Sequence, residues 1–236
     1  MHDKQHIASA FDRDLENIQA LILKMGGLVE AAIIDGAQSL ADRDIENAER
    51  VRRGDKVIDA IEEQLNEEAA RVIAIRAPVS RDLRVILSVL RLAASLERIG
   101  DYAKNMAKRT SVLAELSPIE GSDAALKRMA REVQNMLKDT LDAFVRRDAD
   151  LAAEVLQRDQ DVDQMYNALF REFLTHMMED PRAITACMHL HFIAKNVERM
   201  GDHVTAIAEQ VVYLVTGETP EDDRPKADRT SITTKD

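Results

Sequence analysis

Two short phrases hold the residues best placed to do chemistry. Glu97-Arg98-Ile99-Gly100-Asp101 recurs as Glu198-Arg199-Met200-Gly201-Asp202, with four of five letters identical. On a helix, positions i and i+4 share a face, so each phrase aims two carboxylates at one point in space. Carboxylate oxygens are hard ligands, suited to Mg²⁺, Mn²⁺, Fe or Zn²⁺. A helix resists the phrase: its like charges repel, and an interior Gly costs about 0.5–1 kcal/mol against Ala. Bound cations would remove the repulsion. Gly100 and Gly201 would leave gaps through which an adjacent helix or a hydrated ion approaches. The same penalty at two matching places predicts a pair of cation sites on a duplicated helical scaffold.

One carboxylate pair is a poor site, because these cations need more ligands. Asp55 and Asp59 precede the first phrase, and Asp159 and Asp163 precede the second, each pair again at i and i+4. The candidate metal ligands are therefore Glu97, Asp101, Glu198 and Asp202, with Asp55, Asp59, Asp159 and Asp163 as donors from the helix before. Spacing alone carries little weight: with 43 acidic residues in 236, an acid follows an acid at four positions about eight times by composition. The weight rests on the whole phrase, Arg and Gly included, at equivalent places. Acids near a helix start also simply complement the dipole, which is the plain reading of Asp55 and Asp59. His203, next to Asp202, is a further donor candidate. His189 and His191 are two apart and point to different helix faces.

The elements that must position these groups are helices. The chain is 45% apolar but only 3% aromatic, lacks Trp, and has eight Gly and five Pro. That composition builds long helices rather than a β-sandwich or barrel. Periodicity predicts helices over 7–40, 45–75 and 80–116, then a linker at Ser117-Pro118-Ile119-Glu120-Gly121-Ser122. Three more follow, the last over 183–215. Asp44, Ser80 and Asp148 read as helix starts, Ala77-Pro78 and Glu179-Asp180-Pro181 as breaks, and Gly217 as a stop. Gly26-Gly27 predicts a close helix crossing or a kink. In the third helix, Leu83, Leu87, Leu90 and Ala94 form the expected apolar face, which Glu97 and Asp101 continue at heptad spacing. Arg84, Arg91 and Arg98 form a separate stripe, either paired with acids of a neighbouring helix or solvated. The expected fold is all-α: two tandem, pseudo-symmetric three-helix bundles over residues 1–117 and 118–217, each able to bury its own core. A polar tail over 218–236, without periodicity, is expected to be disordered.

The net charge of −11 excludes an electrostatic footprint for nucleic acid or for an anionic membrane surface. No run is long and apolar enough to insert in a bilayer, and Met1-His2-Asp3-Lys4-Gln5-His6 lacks a signal core, so a cytoplasmic chain is expected. With Cys187 alone, an intramolecular disulfide and thiolate zinc clusters are excluded. Glu-x-x-His, His-Glu-x-x-His, P-loop and dinucleotide fingerprints are absent. Two rival readings stay open: a metal-dependent phosphohydrolase, and a purely structural bundle whose acids are solvated.

Several segments together resemble the PhoU family of phosphate-transport regulators. They are the Glu97 to Asp101 phrase with Asn105, the stretch from Ala77-Pro78 to Asp82-Leu83-Arg84, the pair Asp55 and Asp59, and the ending Val211-Val212-Tyr213-Leu214-Val215-Thr216-Gly217. The likeness covers roughly residues 7–217. It implies two three-helix bundles and multinuclear metal sites, with Fe or Zn favoured and Mn or Mg as further candidates. By position, Glu97 and Asp101 serve one cluster, and Glu198 and Asp202 the other. It further implies a cytoplasmic, non-enzymatic negative regulator of the phosphate-starvation response. Such a regulator connects the ATPase subunit of the phosphate ABC transporter with the phosphate-sensing histidine kinase, and forms a homodimer or higher oligomer. The second half departs from the pattern: Arg182-Ala183-Ile184 replaces Arg81-Asp82-Leu83, and Ala206 stands where Asn105 does. The second site is therefore expected to be weaker or smaller.

Overall fold

A computed structural model describes residues 2–220, with side chains from Phe11 onward. Residues 221–236 of the expected disordered tail lie outside the described residues. The described residues form six α-helices: α1 His2–Asp42, α2 Ile45–Arg76, α3 Ser80–Ala114, α4 Ser122–Arg146, α5 Ala149–Glu179 and α6 Ile184–Thr216. A single 3-10 turn, Pro181–Ala183, precedes α6, and the described residues include no strand.

The punctuation follows local chemistry. The Asp44 carboxylate accepts from Asn47 N–H at 2.9 Å, and Asp148 accepts from Leu151 N–H at 3.0 Å, so both cap the helix that follows. Ala77 ends α2 in the left-handed region, and Gly217 ends α6 there at φ 85°. Ser80 does not cap α3. Val79 holds the N-cap position without a side-chain bond, and Ser80 itself takes φ 51° inside the first turn.

Long apolar stripes decide the packing. α2 lies on α1 and α3, and α5 lies on α4 and α6. The halves join through α3 against α6 and α1 against α4. The main core spans both halves, running from Ile18 on α1 to Leu214 on α6, with a small satellite of Ala48, Val51 and Ala107. Gly26 marks a close crossing: a Cβ there would meet the Leu141 side chain of α4. Gly27 faces open space.

The apolar face of α3 differs from the expected line. Ile86, Val89, Leu92, Leu96, Ile99, Ala103 and Met106 are buried, whereas Leu87 is 46% exposed. The line through Leu83, Leu87, Leu90 and Ala94 runs beside the core. Glu97 and Asp101 therefore continue the rim of the core, where α3 meets α2.

Candidate metal centres

The first centre lies between α2 and α3. Gly100 is buried and leaves room for α2: a Cβ there would come within 3.1 Å of Ile58 Cδ1 and 3.9 Å of Asp55 Oδ1. The close approach carries Asp55 to 6% exposure, while Asp59, one turn on, stays exposed. Glu97 and Asp101 are partly buried opposite. The Lys104 ammonium stands between the two helices and donates to Asp55 Oδ2 at 2.6 Å and Asp101 Oδ1 at 2.5 Å. Arg98 lies 3.6 Å from Glu97 and 3.8 Å from Asp101. Asp55 Oδ1 is buried and accepts no hydrogen bond.

The charges bear the mark of crowding. Desolvation, then the charge of Asp101, raises the proton affinity of Glu97, against a partial opposing effect of Arg98. Desolvation and the charges of Asp55 and Asp101 raise that of Asp59, with Lys104 opposing. For Lys104, desolvation works against the ammonium. The hydrogen bonds to Asp101 and Asp55 outweigh it and hold the group firmly protonated.

The second centre lies between α5 and α6 and repeats the plan with different details. A Cβ on Gly201 would lie 3.4 Å from Asp159 Oδ1, so Asp159 stands to Gly201 as Asp55 does to Gly100. Here Asp163 and Glu198 are buried, and Asp202 is exposed. The ammonium comes from the other end of the phrase: Lys195 donates to Glu198 Oε1 at 2.7 Å and lies over the Tyr166 ring. The counterpart of Lys104 is Thr205, whose hydroxyl donates to the Asp202 carbonyl at 2.8 Å.

The structure thus brings Asp55 and Asp59 to the first phrase and Asp159 to the second. As the side chains stand, no three His, Cys, Asp or Glu among the described residues are grouped to hold an ion. His203 is turned away toward Tyr102, with ring centroids 5.8 Å apart across the α3–α6 contact. Its proton affinity is lowered by desolvation, opposed by Asp202 and assisted by Arg98. Tyr102 and His203 each follow the last acid of their phrase, so the pseudo-twofold axis relating the halves passes between them. His189 likewise contacts Arg109 across the same seam at 3.0 Å. Lys104 and Lys195 are the site residues that sequence reasoning missed. A lysine three residues from an acid on a helix is an ordinary surface pair. Only the buried partner, Asp55 or Glu198, sets these two apart. A cavity of about 600 Å³ lies elsewhere, at the Ser117 to Glu120 linker and the α5–α6 turn.

The PhoU domain model matches this chain twice, over residues 22–110 and 126–211. The chain belongs to the PhoU family. The two matches hold one acid centre each. A phosphate-specific transport system accessory protein PhoU homologue from Caulobacter vibrioides is 42% identical over 95% of this chain and 97% of its own length. The Rhizobium meliloti homologue of the same name is 43% identical over 96% of this chain and 95% of its own. Crystal structures agree. PhoU from Pseudomonas aeruginosa superposes with a TM-score of 0.84 at 41% identity, covering 88% of this chain and all of that one. The phosphate transport system regulatory protein PhoU from Streptococcus pneumoniae gives 0.83 at 31% identity, over 89% and 99%.

Proposed function

We propose that this chain is a non-enzymatic, metal-binding adaptor that regulates phosphate uptake. It represses the phosphate-starvation response by linking the ATPase subunit of the phosphate ABC transporter to the phosphate-sensing histidine kinase, acting as a homodimer in the cytoplasm. The observation that carries the regulatory part is full-length kinship to proteins named as accessory and regulatory components of phosphate transport. No helix among the described residues is long and apolar enough to cross a membrane, which suits a docking protein.

The metal part rests on the chain's own residues. Asp55 Oδ1 is a buried carboxylate oxygen with no proton donor, and it borders the gap at Gly100. That donor chemistry fits Fe or Zn, and also Mn or Mg. Asp55, Asp59, Glu97 and Asp101 would hold one cluster; Asp159, Asp163, Glu198 and Asp202 would hold the other. Bound cations supply positive charge that ties α2 to α3 and α5 to α6. Lys104 and Lys195 perform that service with an ammonium, and must swing aside for a full carboxylate shell. The second site is the smaller one in this reading, since the second half carries Arg182-Ala183-Ile184 in place of Arg81-Asp82-Leu83 and Ala206 in place of Asn105. The bundle boundaries, 1–117 and 118–217, give each half one site.

Deletion of the gene tests the regulatory claim. Alkaline phosphatase, read as a reporter of the starvation response, should become expressed in high phosphate. Continued repression in the deletion strain refutes the adaptor reading.

A further inference from the structure

Along the α3–α6 seam, arginines come forward without acids. Arg84 lies over the Tyr213 ring at 5.2 Å, Arg109 over Phe192 at 4.6 Å, and Arg199 over Tyr102 at 6.0 Å. Arg91 donates to Gln210 Oε1 at 3.2 Å. These contacts all cross from one helix to the other, and none involves a carboxylate. No ion pair joins Arg84, Arg91, Arg109 or Arg199 to an acid among the described residues. In a chain with 43 acids against 32 basic residues, four arginines in line without an acidic partner is an unusual allocation. Arg98, exposed between Arg91 and the seam's centre, continues the row and reaches toward Glu97 and Asp101 at its edge.

The arginines are also held in place. A guanidinium stacked on an aromatic ring keeps its hydrogen-bonding fork extended and loses little further freedom on meeting a carboxylate. Arg84, Arg91 and Arg98 repeat every seven residues, about 10.5 Å apart along α3. The seam carries apolar surface too. Leu87 sits between Arg84 and Arg91, Val112 lies one turn beyond Arg109, and Met188 lies one turn before Phe192; all four apolar side chains are exposed. Cations at two-turn spacing beside exposed aliphatic and aromatic groups complement one kind of occupant: a helix with acids along one edge and apolar residues along the other.

We infer that the outer α3–α6 seam is the docking surface for an acidic amphipathic helix of a partner protein. The inference rests on the adaptor reading and adds to it where, and through what chemistry, a partner is held. The seam lies between the two acid centres, so a helix seated there touches both halves of the molecule.

The direct probe is a synthetic peptide carrying Glu and Leu at helical spacing, titrated against the full chain and read by fluorescence anisotropy. Its counterpart with Lys in place of Glu is the control. The acidic peptide should bind, more weakly as salt rises, and the basic one should not. Arg91→Glu with Arg199→Glu should weaken binding about tenfold or more. Helicity and melting confirm that the variant folds, and Arg91→Gln with Arg199→Gln serves if it does not. Equal binding by wild type and variant overturns the inference, as does equal binding of both peptides. A wild-type dimer that dissociates on Arg91→Glu with Arg199→Glu also overturns it, by making the seam a contact between copies. In cells, the two readings part. If deletion derepresses alkaline phosphatase but the charge-reversed variant complements fully, the seam inference fails and the adaptor reading stands. If deletion has no effect while the peptide binds as expected, the reverse holds.

Discussion

Lys104→Met is the substitution whose consequence the first centre defines best. The ammonium is within 2.6 Å of Asp55 Oδ2 and 2.5 Å of Asp101 Oδ1. Those two oxygens are therefore no more than about 5 Å apart, and at an effective dielectric near 20 two like charges at that range repel by about 3 kcal/mol. Water at the rim lowers this, since Lys104 and Asp101 are partly exposed. Methionine keeps the aliphatic packing and removes only the charge. The expected loss is about 1–3 kcal/mol, or roughly 3–10 °C in melting temperature for a chain of this size. The assay is thermal unfolding followed by circular dichroism in a chelating buffer. Asp55→Asn added to Lys104→Met should recover most of the loss, because the repulsion needs both carboxylates. A Lys104→Met protein that melts within about one degree of wild type refutes the account of the ammonium as the counter-ion of this centre. Failure of Asp55→Asn to restore stability refutes it equally.

Further outcomes follow from packing and charge. Gly54→Ala, exposed on α2 with nothing within 4 Å of the new Cβ, should stabilise by about 0.5–1 kcal/mol in denaturant melts. Gly26→Ala should instead destabilise by about 1–3 kcal/mol, since its Cβ would collide with the buried Leu141 side chain at the α1–α4 crossing. For Asp14, desolvation raises the proton affinity, but hydrogen bonds from Arg71 and Arg76 outweigh it and set the carboxyl below its usual value of 3.8. A depressed value stabilises the fold above the unfolded pKa and is lost as pH falls through the folded one. Asp14→Asn should therefore cost about 0.5–1 kcal/mol near neutrality, and the gap to wild type should close at pH values below that of a free Asp. Burial raises the proton affinity of the Cys187 thiol. Its reaction with a thiol reagent at neutral pH should be slow in the native protein and fast after denaturation.

Much of this fold is written in local signals. Prolines 78 and 181, the acid caps 44 and 148, and Gly217 mark helix ends by chemistry that acts within a few residues. The acids Asp55 and Asp159 were legible as neighbours of the two phrases because the duplication repeats their order; that each borders the glycine of its phrase is a fact of the packed helices. What was not legible depends on neighbours far along the chain. The apolar face of α3 is set by α1, α2 and α6 together. A single-helix heptad through Leu87 and Ala94 therefore picks the rim, because α6 takes the other flank. The continuous core depends on α1 meeting α4 at Gly26, a contact that periodicity within one helix does not encode. Lys104 and Lys195 sit at different ends of their phrases, so the repeat hides them rather than revealing them. The arginine stripe was visible as spacing. That it meets Tyr213 and Gln210 of α6, and not a row of acids, is a fact of the packed pair.

The most direct test of the central claim is elemental analysis of the full chain purified without chelator. It should be run on wild type, on Glu97→Ala with Asp101→Ala, and on Glu198→Ala with Asp202→Ala. Wild type should carry Fe or Zn above equimolar amounts. The first variant should lose the larger share and the second the smaller, with helicity unchanged. Metal-free wild type whose melting temperature does not rise on adding Fe, Zn²⁺, Mn²⁺ or Mg²⁺ would contradict the account, because a cation that binds only the folded form must stabilise it.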